Sequence, residues 1–181
     1  MKKFKLTSEF IVDISGVKLF RIKALIEFGN VKAGDLGGYI EKEENLSHMG
    51  DAWVSDDARI SGNAQVFGNA QVFGDAQVFG DAWVFGNARV FGNARVSGDA
   101  QVFGDARVSG DKDYAYAHGF GSCNRTTTFF RLKDGDVGVR CGCFYGTLAQ
   151  FRDNVCETHG ETKKAQEYLM LADLMDFRFK N

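Results

Sequence analysis

The sequence predicts a mainly β protein whose centre is a parallel β-solenoid. Three observations carry that expectation. From Asp51 to Gly110 one six-residue phrase runs ten times in succession, with Ala at positions 52, 58, 64, 70, 76, 82, 88, 94, 100 and 106. Two positions after each Ala stands a β-branched residue, from Val54 and Ile60 through to Val108. A Gly followed by Asp or Asn separates nearly all the phrases, as in VFGNAQVFGDAQ. An α-helix turning by about 100° per residue would spiral such positions around its surface. A strand keeps Ala and Val on one face and the residues between and after them on the other. Gly supplies the left-handed corner, and Asp or Asn tolerates it next best. A short strand with a corner every six residues coils, and stacking pairs each coil with its neighbours.

The elements follow in chain order. Residues 1–30 read as an antiparallel β cap, with Ser15-Gly16 the hairpin turn between IVDI and VKLFRI. Such a cap would cover the unpaired edges of the first coil. Residues 31–112 read as the lead-in and the β-helix itself. Residues 113–122, rich in Gly and Tyr, read as a hinge, and residues 123–181 as a ββαα module. Its strands are expected over Thr126 to Leu132 and Val137 to Phe144, around the turn KDGD. Thr147 and Gln150 form a capping box that starts a helix running to about Thr158, closed by His159 and Gly160. A second helix is expected from Thr162 to about Phe179, with a broad apolar stripe that includes Tyr168, Ala172, Leu174 and Met175.

The phrase V-F-G-N-A-Q resembles the hexapeptide repeat of left-handed parallel β-helix proteins. The lead-in VKAGDLGGYIEKEENLSHMGDAWV and the C-terminal segment resemble those of bacterial and phage-borne members with a C-terminal α+β module, a group that carries no assigned reaction. The resemblance implies a left-handed, triangular helix of about three coils, three hexads to each coil. It also implies a homotrimer, since members of the family commonly pack side by side around a threefold axis. The phage-borne relatives add a possible role in sequestering a small anionic, nucleotide-like ligand or a host protein.

With 18 residues to a coil, the outward positions sort into three faces. One carries Gln65, Phe67, Trp83, Phe85, Gln101 and Phe103, with no charge. A second carries Arg59, Ser61, Gln77, Phe79, Arg95 and Ser97, and the third holds Trp53, Ser55, Gln71, Phe73, Arg89, Phe91, Arg107 and Ser109. Phe67, Trp83, Phe85 and Phe103 therefore suggest an oligomer or partner interface. The alternative is a stack that only stiffens the solenoid.

Candidate chemistry lies outside the hexads. Arg125, Thr126, Thr128, Arg131 and Arg140 pair guanidiniums with hydroxyls in a pattern that suits an anion. The competing reading is a solvated hairpin face. Cys141 and Cys143 on one strand face, with Cys123, Cys156, His118 and His159, are weak metal candidates, because the paired C-x2-C knuckles of structural zinc are missing. Cysteines packed as small apolar residues are the alternative. No cofactor is expected. Many members of the resembled family are acyltransferases, but the hexads hold neither a His nor a loop insertion, and His48 is the nearest imidazole. Acyl transfer and a purely structural phage component stand as the alternatives to a non-catalytic binding scaffold. A formal net charge of -2 gives no pull toward nucleic acid or anionic membrane. The N-terminus MKKFKLTSEF lacks the apolar stretch of a signal peptide, so a cytoplasmic location is expected.

Overall fold

A computed structural model describes residues 2–121 and 124–180. The chain opens with a hairpin of β1 (Phe4–Val12) and β2 (Lys18–Ala24). Asp13 holds its turn, with Oδ1 accepting from the backbone N–H of Ser15 at 2.8 Å and of Val17 at 2.9 Å. Gly16 supplies the positive φ of 81°. β3 (Leu36–Ile40) lies antiparallel to β2 on one side and parallel to a solenoid strand on the other. The cap and the solenoid thus share one six-stranded sheet.

The hexads form ten two-residue strands, in order β4 (Trp53–Val54), β5 (Arg59–Ile60), β6 (Gln65–Val66), β7 (Gln71–Val72), β8 (Gln77–Val78), β9 (Trp83–Val84), β10 (Arg89–Val90), β11 (Arg95–Val96), β12 (Gln101–Val102) and β13 (Arg107–Val108). Each of β4 to β10 pairs in parallel with the strand three further on, so that Gln65 meets Trp83 and Trp83 meets Gln101. The repeated Ala and Val or Ile residues point inward and are fully buried. Corner glycines stack closely: a Cβ on Gly68 would stand 3.1 Å from the Gly86 nitrogen, and φ there is 71°.

The solenoid has about four turns, against the three counted from hexads. Its base turn is spelled differently. Ile40 pairs with Ile60 and Leu46 bridges to Val66, and both aliphatic residues belong to the solenoid core. Because these residues lack the six-residue spacing, the repeat pattern does not count them.

Within the stack, N–H groups of one turn donate to carbonyls of the next, as from Trp53 to Ala70 at 3.0 Å. At these positions the bottom turn is left with spare carbonyls and the top turn with spare N–H groups, and each end carries caps of the matching kind. At the bottom, Lys3 Nζ donates to the carbonyls of Gly50 at 3.1 Å and Ala52 at 2.7 Å. Asn45 Nδ2 donates to those of Gly62 at 3.1 Å and Ala64 at 2.9 Å. At the top, the N–H groups of Arg95, Ser97, Gln101 and Ser109 donate to Asp111 Oδ1, Tyr114 Oη, Thr128 Oγ1 and Asp113 Oδ2.

Asp111 and Asp113 lie on the short turn Asp111–Asp113, and Tyr114 and Thr128 come from the C-terminal module, a four-stranded antiparallel sheet of β14 (Tyr114–Phe120), β15 (Arg125–Arg131), β16 (Val137–Cys141) and β17 (Phe144–Thr147). Two expectations are corrected here. Most of the segment expected as a hinge, 113–122, is strand β14, whose Tyr114 and Tyr116 pair across to Phe130 and Thr128; residue 122 lies outside the described residues. The strand expected from Val137 to Phe144 breaks at Gly142, where φ is 58°, and folds back as a tight hairpin with Cys141 opposite Phe144. One side of the sheet packs on the solenoid through Phe130 and the other on the helices through Phe129. Helices α1 (Leu148–His159) and α2 (Lys163–Phe179) match expectation, with the Thr147–Gln150 capping box and Gly160 in place. Leu174, expected on the buried stripe, is instead 55% exposed. Among the described residues no helix is long and apolar enough to cross a membrane.

Candidate functional site

The face made by β6, β9 and β12 carries the uncharged column. Phe67 stacks on Phe85 with centroids 4.8 Å apart and planes 12° apart. Phe85 stacks on Phe103 at 4.4 Å and 29°. Tyr145 of the C-terminal module closes the top edge-on to Phe103 at 4.7 Å, and Arg140 lies over the same ring. The rings cover each other's faces, which leaves the three Phe side chains half-buried. Trp83, edge-on to Phe67 at 6.0 Å, is 41% exposed.

At the foot of this column lies an open groove of about 690 Å³, lined by Glu43, His48, Gln65, Phe67 and Trp83 among others. His48 stacks on Phe4, and its Nδ1 accepts the Lys3 backbone N–H at 3.2 Å. The ring proton therefore sits on Nε2, which donates to Glu43 Oε1 at 2.6 Å. Hydrogen bonds from Lys2 and from His48 hold the Glu43 carboxyl below its usual range. Both nitrogens of His48, the imidazole nearest the hexads along the sequence, are thus engaged, while His118 Nδ1 lies 3.8 Å from Asp99 Oδ2.

The other two faces are cationic. Arg95 lies over Phe79 at 5.7 Å and Arg89 over Phe73 at 5.0 Å, beside a Phe73–Phe91 stack of 5.1 Å. The three faces differ as their sequences suggest, and Arg appears on the outward strand positions of only two of them.

The five anion candidates do not converge. Arg125 and Arg131 stand on the helix side of β15, about 20 Å apart at roughly 3.3 Å per residue. Thr126, Thr128 and Arg140 face the solenoid side, Thr128 directly across from Arg140. Thr128 is fully buried and caps Gln101. Thr126 Oγ1 bonds His118 Nδ1 at 2.9 Å. Arg131 donates to the Phe179 and Gly135 carbonyls at 2.7 and 3.0 Å, fastening the end of α2 to the sheet. Arg140 donates to Gln101 Oε1 at 3.3 Å and to the Cys143 carbonyl at 3.4 Å.

The two sulfurs expected on one strand face are separated by the Gly142 turn. Cys141 Sγ accepts from Thr127 Oγ1 at 3.2 Å and lies 3.7 Å from Tyr168 Oη, while Cys143 is exposed. Cys123 lies outside the described residues. Among the described residues no three His, Cys, Asp or Glu side chains are placed to hold a metal ion. Sequence reasoning missed Lys3, Asn45, Glu43 and Tyr145. They act on residues far away in the chain, and no repeat marks them.

The family model described as YdcK Beta solenoid repeat matches residues 58–74, 82–98, 88–102 and 100–111, within the stacked hexads but for the final residue, Asp111. No curated protein matches the chain.

Proposed function

We propose that this parallel β-helix repeat protein is a non-catalytic scaffold that assembles as a homotrimer through the face of Phe67, Trp83, Phe85 and Phe103. The contrast between faces carries the reading. Two copies meeting through their Arg-bearing faces would bring columns of Arg against columns of Arg. On the β6–β9–β12 face the outward residues of the strands are Gln65, Trp83 and Gln101, and the half-exposed Trp83 ring offers an aromatic anchor of the kind enriched at interface centres. Solenoids packed side by side with parallel axes give each subunit two neighbours, met through different patches, and the Phe column turned toward the threefold axis lets the two edges of that face make both contacts. The stacked Phe column supplies a stiff, pre-formed wall, so little side-chain freedom is lost on association.

Sedimentation equilibrium of the wild type against Trp83→Glu tests the reading. The wild type is expected at the mass of three 20.0 kDa chains and the variant, still folded, at that of one. A trimeric variant would take the assembly off this face. A trimer that retains no small molecule would make the scaffold a structural component.

A further inference from the structure

The C-terminal module holds a separate cavity of about 420 Å³, between the β16–β17 hairpin and the two helices. Its size falls in the range of small-molecule pockets, roughly 300–1,000 Å³. The walls are apolar: Phe144 and the buried Phe151 lie 5.5 Å apart, and Phe151 is edge-on to Tyr168 at 5.6 Å. The mouth is cationic and polar. Arg125 is exposed, its side chain makes no hydrogen bond or ion pair to any described residue, and its guanidinium lies against Gly142, where a Cβ would collide with it. His159, on the last turn of α1, stacks on Tyr168 at 5.8 Å, and Asn154 adds a neutral amide. No acidic side chain lines the cavity among the described residues. A guanidinium and an imidazole that line one cavity together with an aromatic wall are the chemistry that recognises an anion on an apolar body.

We propose that this cavity binds an organic anion, a carboxylate or phosphate monoester on a compact aromatic body. The anion meets Arg125 and His159, and the body lies on Phe144 and Phe151. The proposal stands on this cavity alone and holds whether or not the chain trimerises.

Two thiols make the test internal to one molecule. Cys143 lines the cavity, whereas Cys156 is exposed on α1 and does not. Iodoacetate and iodoacetamide both alkylate a thiolate with loss of iodide, but only iodoacetate is an anion. The ratio of the two alkylation rates, read by peptide mass spectrometry, is expected to be up to about tenfold higher at Cys143 than at Cys156, by local enrichment of anions. Millimolar phenyl phosphate or benzoate is expected to protect Cys143 and not Cys156, and the more protective of the two assigns phosphate or carboxylate. Arg125→Gln, at an exposed position, is expected to abolish both the preference and the protection. Equal ratios at the two thiols would overturn the proposal. So would protection by inorganic phosphate as strong as by phenyl phosphate, because the apolar wall would then contribute nothing.

Discussion

Replacing Asn45 by Asp changes almost nothing in shape and reverses the polarity of one cap. Asn45 is fully buried, its Oδ1 accepts the Lys42 backbone N–H at 2.9 Å, and its amide nitrogen serves two carbonyls of the lowest regular turn. In Asn45→Asp the first bond survives, while the carbonyls of Gly62 and Ala64 face an oxygen. Each buried polar group left without a partner costs about 1–3 kcal/mol, so the variant is expected to lose about 2–6 kcal/mol. That is a large part of the 5–15 kcal/mol that typically holds a domain. Urea unfolding at pH 7 reads the loss, and hydrogen exchange at the amides of Glu41 and Ser47, which pair with the first regular turn, locates it. The introduced carboxyl is easier to protonate in the fold than in the unfolded chain, so the loss shrinks as pH falls toward the ordinary Asp range near ~4. Asn45→Leu carries no ionisable group, and its loss should be independent of pH. An Asn45→Asp protein as stable as wild type at pH 7 would refute the idea that the solenoid depends on matched donors at its base.

Three further outcomes are expected. Thr128→Val keeps the side-chain shape but removes the acceptor for Gln101 N–H at the other end, and should cost about 1–3 kcal/mol in urea unfolding. Thr127→Val, which removes only a 3.2 Å contact to a sulfur, should cost less. Phe85→Leu interrupts the ring stack and should lower stability by about 0.5–1.5 kcal/mol for each aromatic pair lost, measured in a Trp83→Glu background where assembly does not contribute. Burial lowers the Lys3 pKa from 10.5 to about 8, with Asp51 opposing the shift. Between those two pH values the unfolded chain holds a proton that the folded chain has released, so stability attributable to Lys3 rises with pH across the window. It is flat below and above. The full rise is about 3 kcal/mol at 1.36 kcal/mol per pH unit, and subtracting the Lys3→Met pH profile from that of the wild type should isolate it.

The stacked body of the molecule was legible to the residue. Six-residue spacing with strand alternation determines which side chains lie above one another, and Phe67, Phe85 and Phe103 do stack as that geometry requires. The helices were legible because their caps are local: Thr147 with Gln150, and Gly160. What sequence reasoning lost was non-repeating and distant. Ile40 and Leu46 build a turn without hexad spacing, and Lys3 reaches 49 positions along the chain to Ala52. Gly142 split a strand because its neighbours on both sides read as strand formers, and Gly119 and Gly121 disguised β14 as a hinge. The anion candidates were adjacent in sequence but alternate along a strand, so the sheet divides them between its two sides. Arg125 and Arg131 each line a cavity, but Arg131 is held by the Gly135 and Phe179 carbonyls and shares its cavity with Asp136 and Asp176.

Native mass spectrometry of the wild-type protein, purified gently from cells, tests assembly through the uncharged face most directly. A complex of three 20.0 kDa chains is expected, and it dissociates in the Trp83→Glu variant. A wild-type protein that sprays as a bare monomer at concentrations where the variant does the same would contradict it.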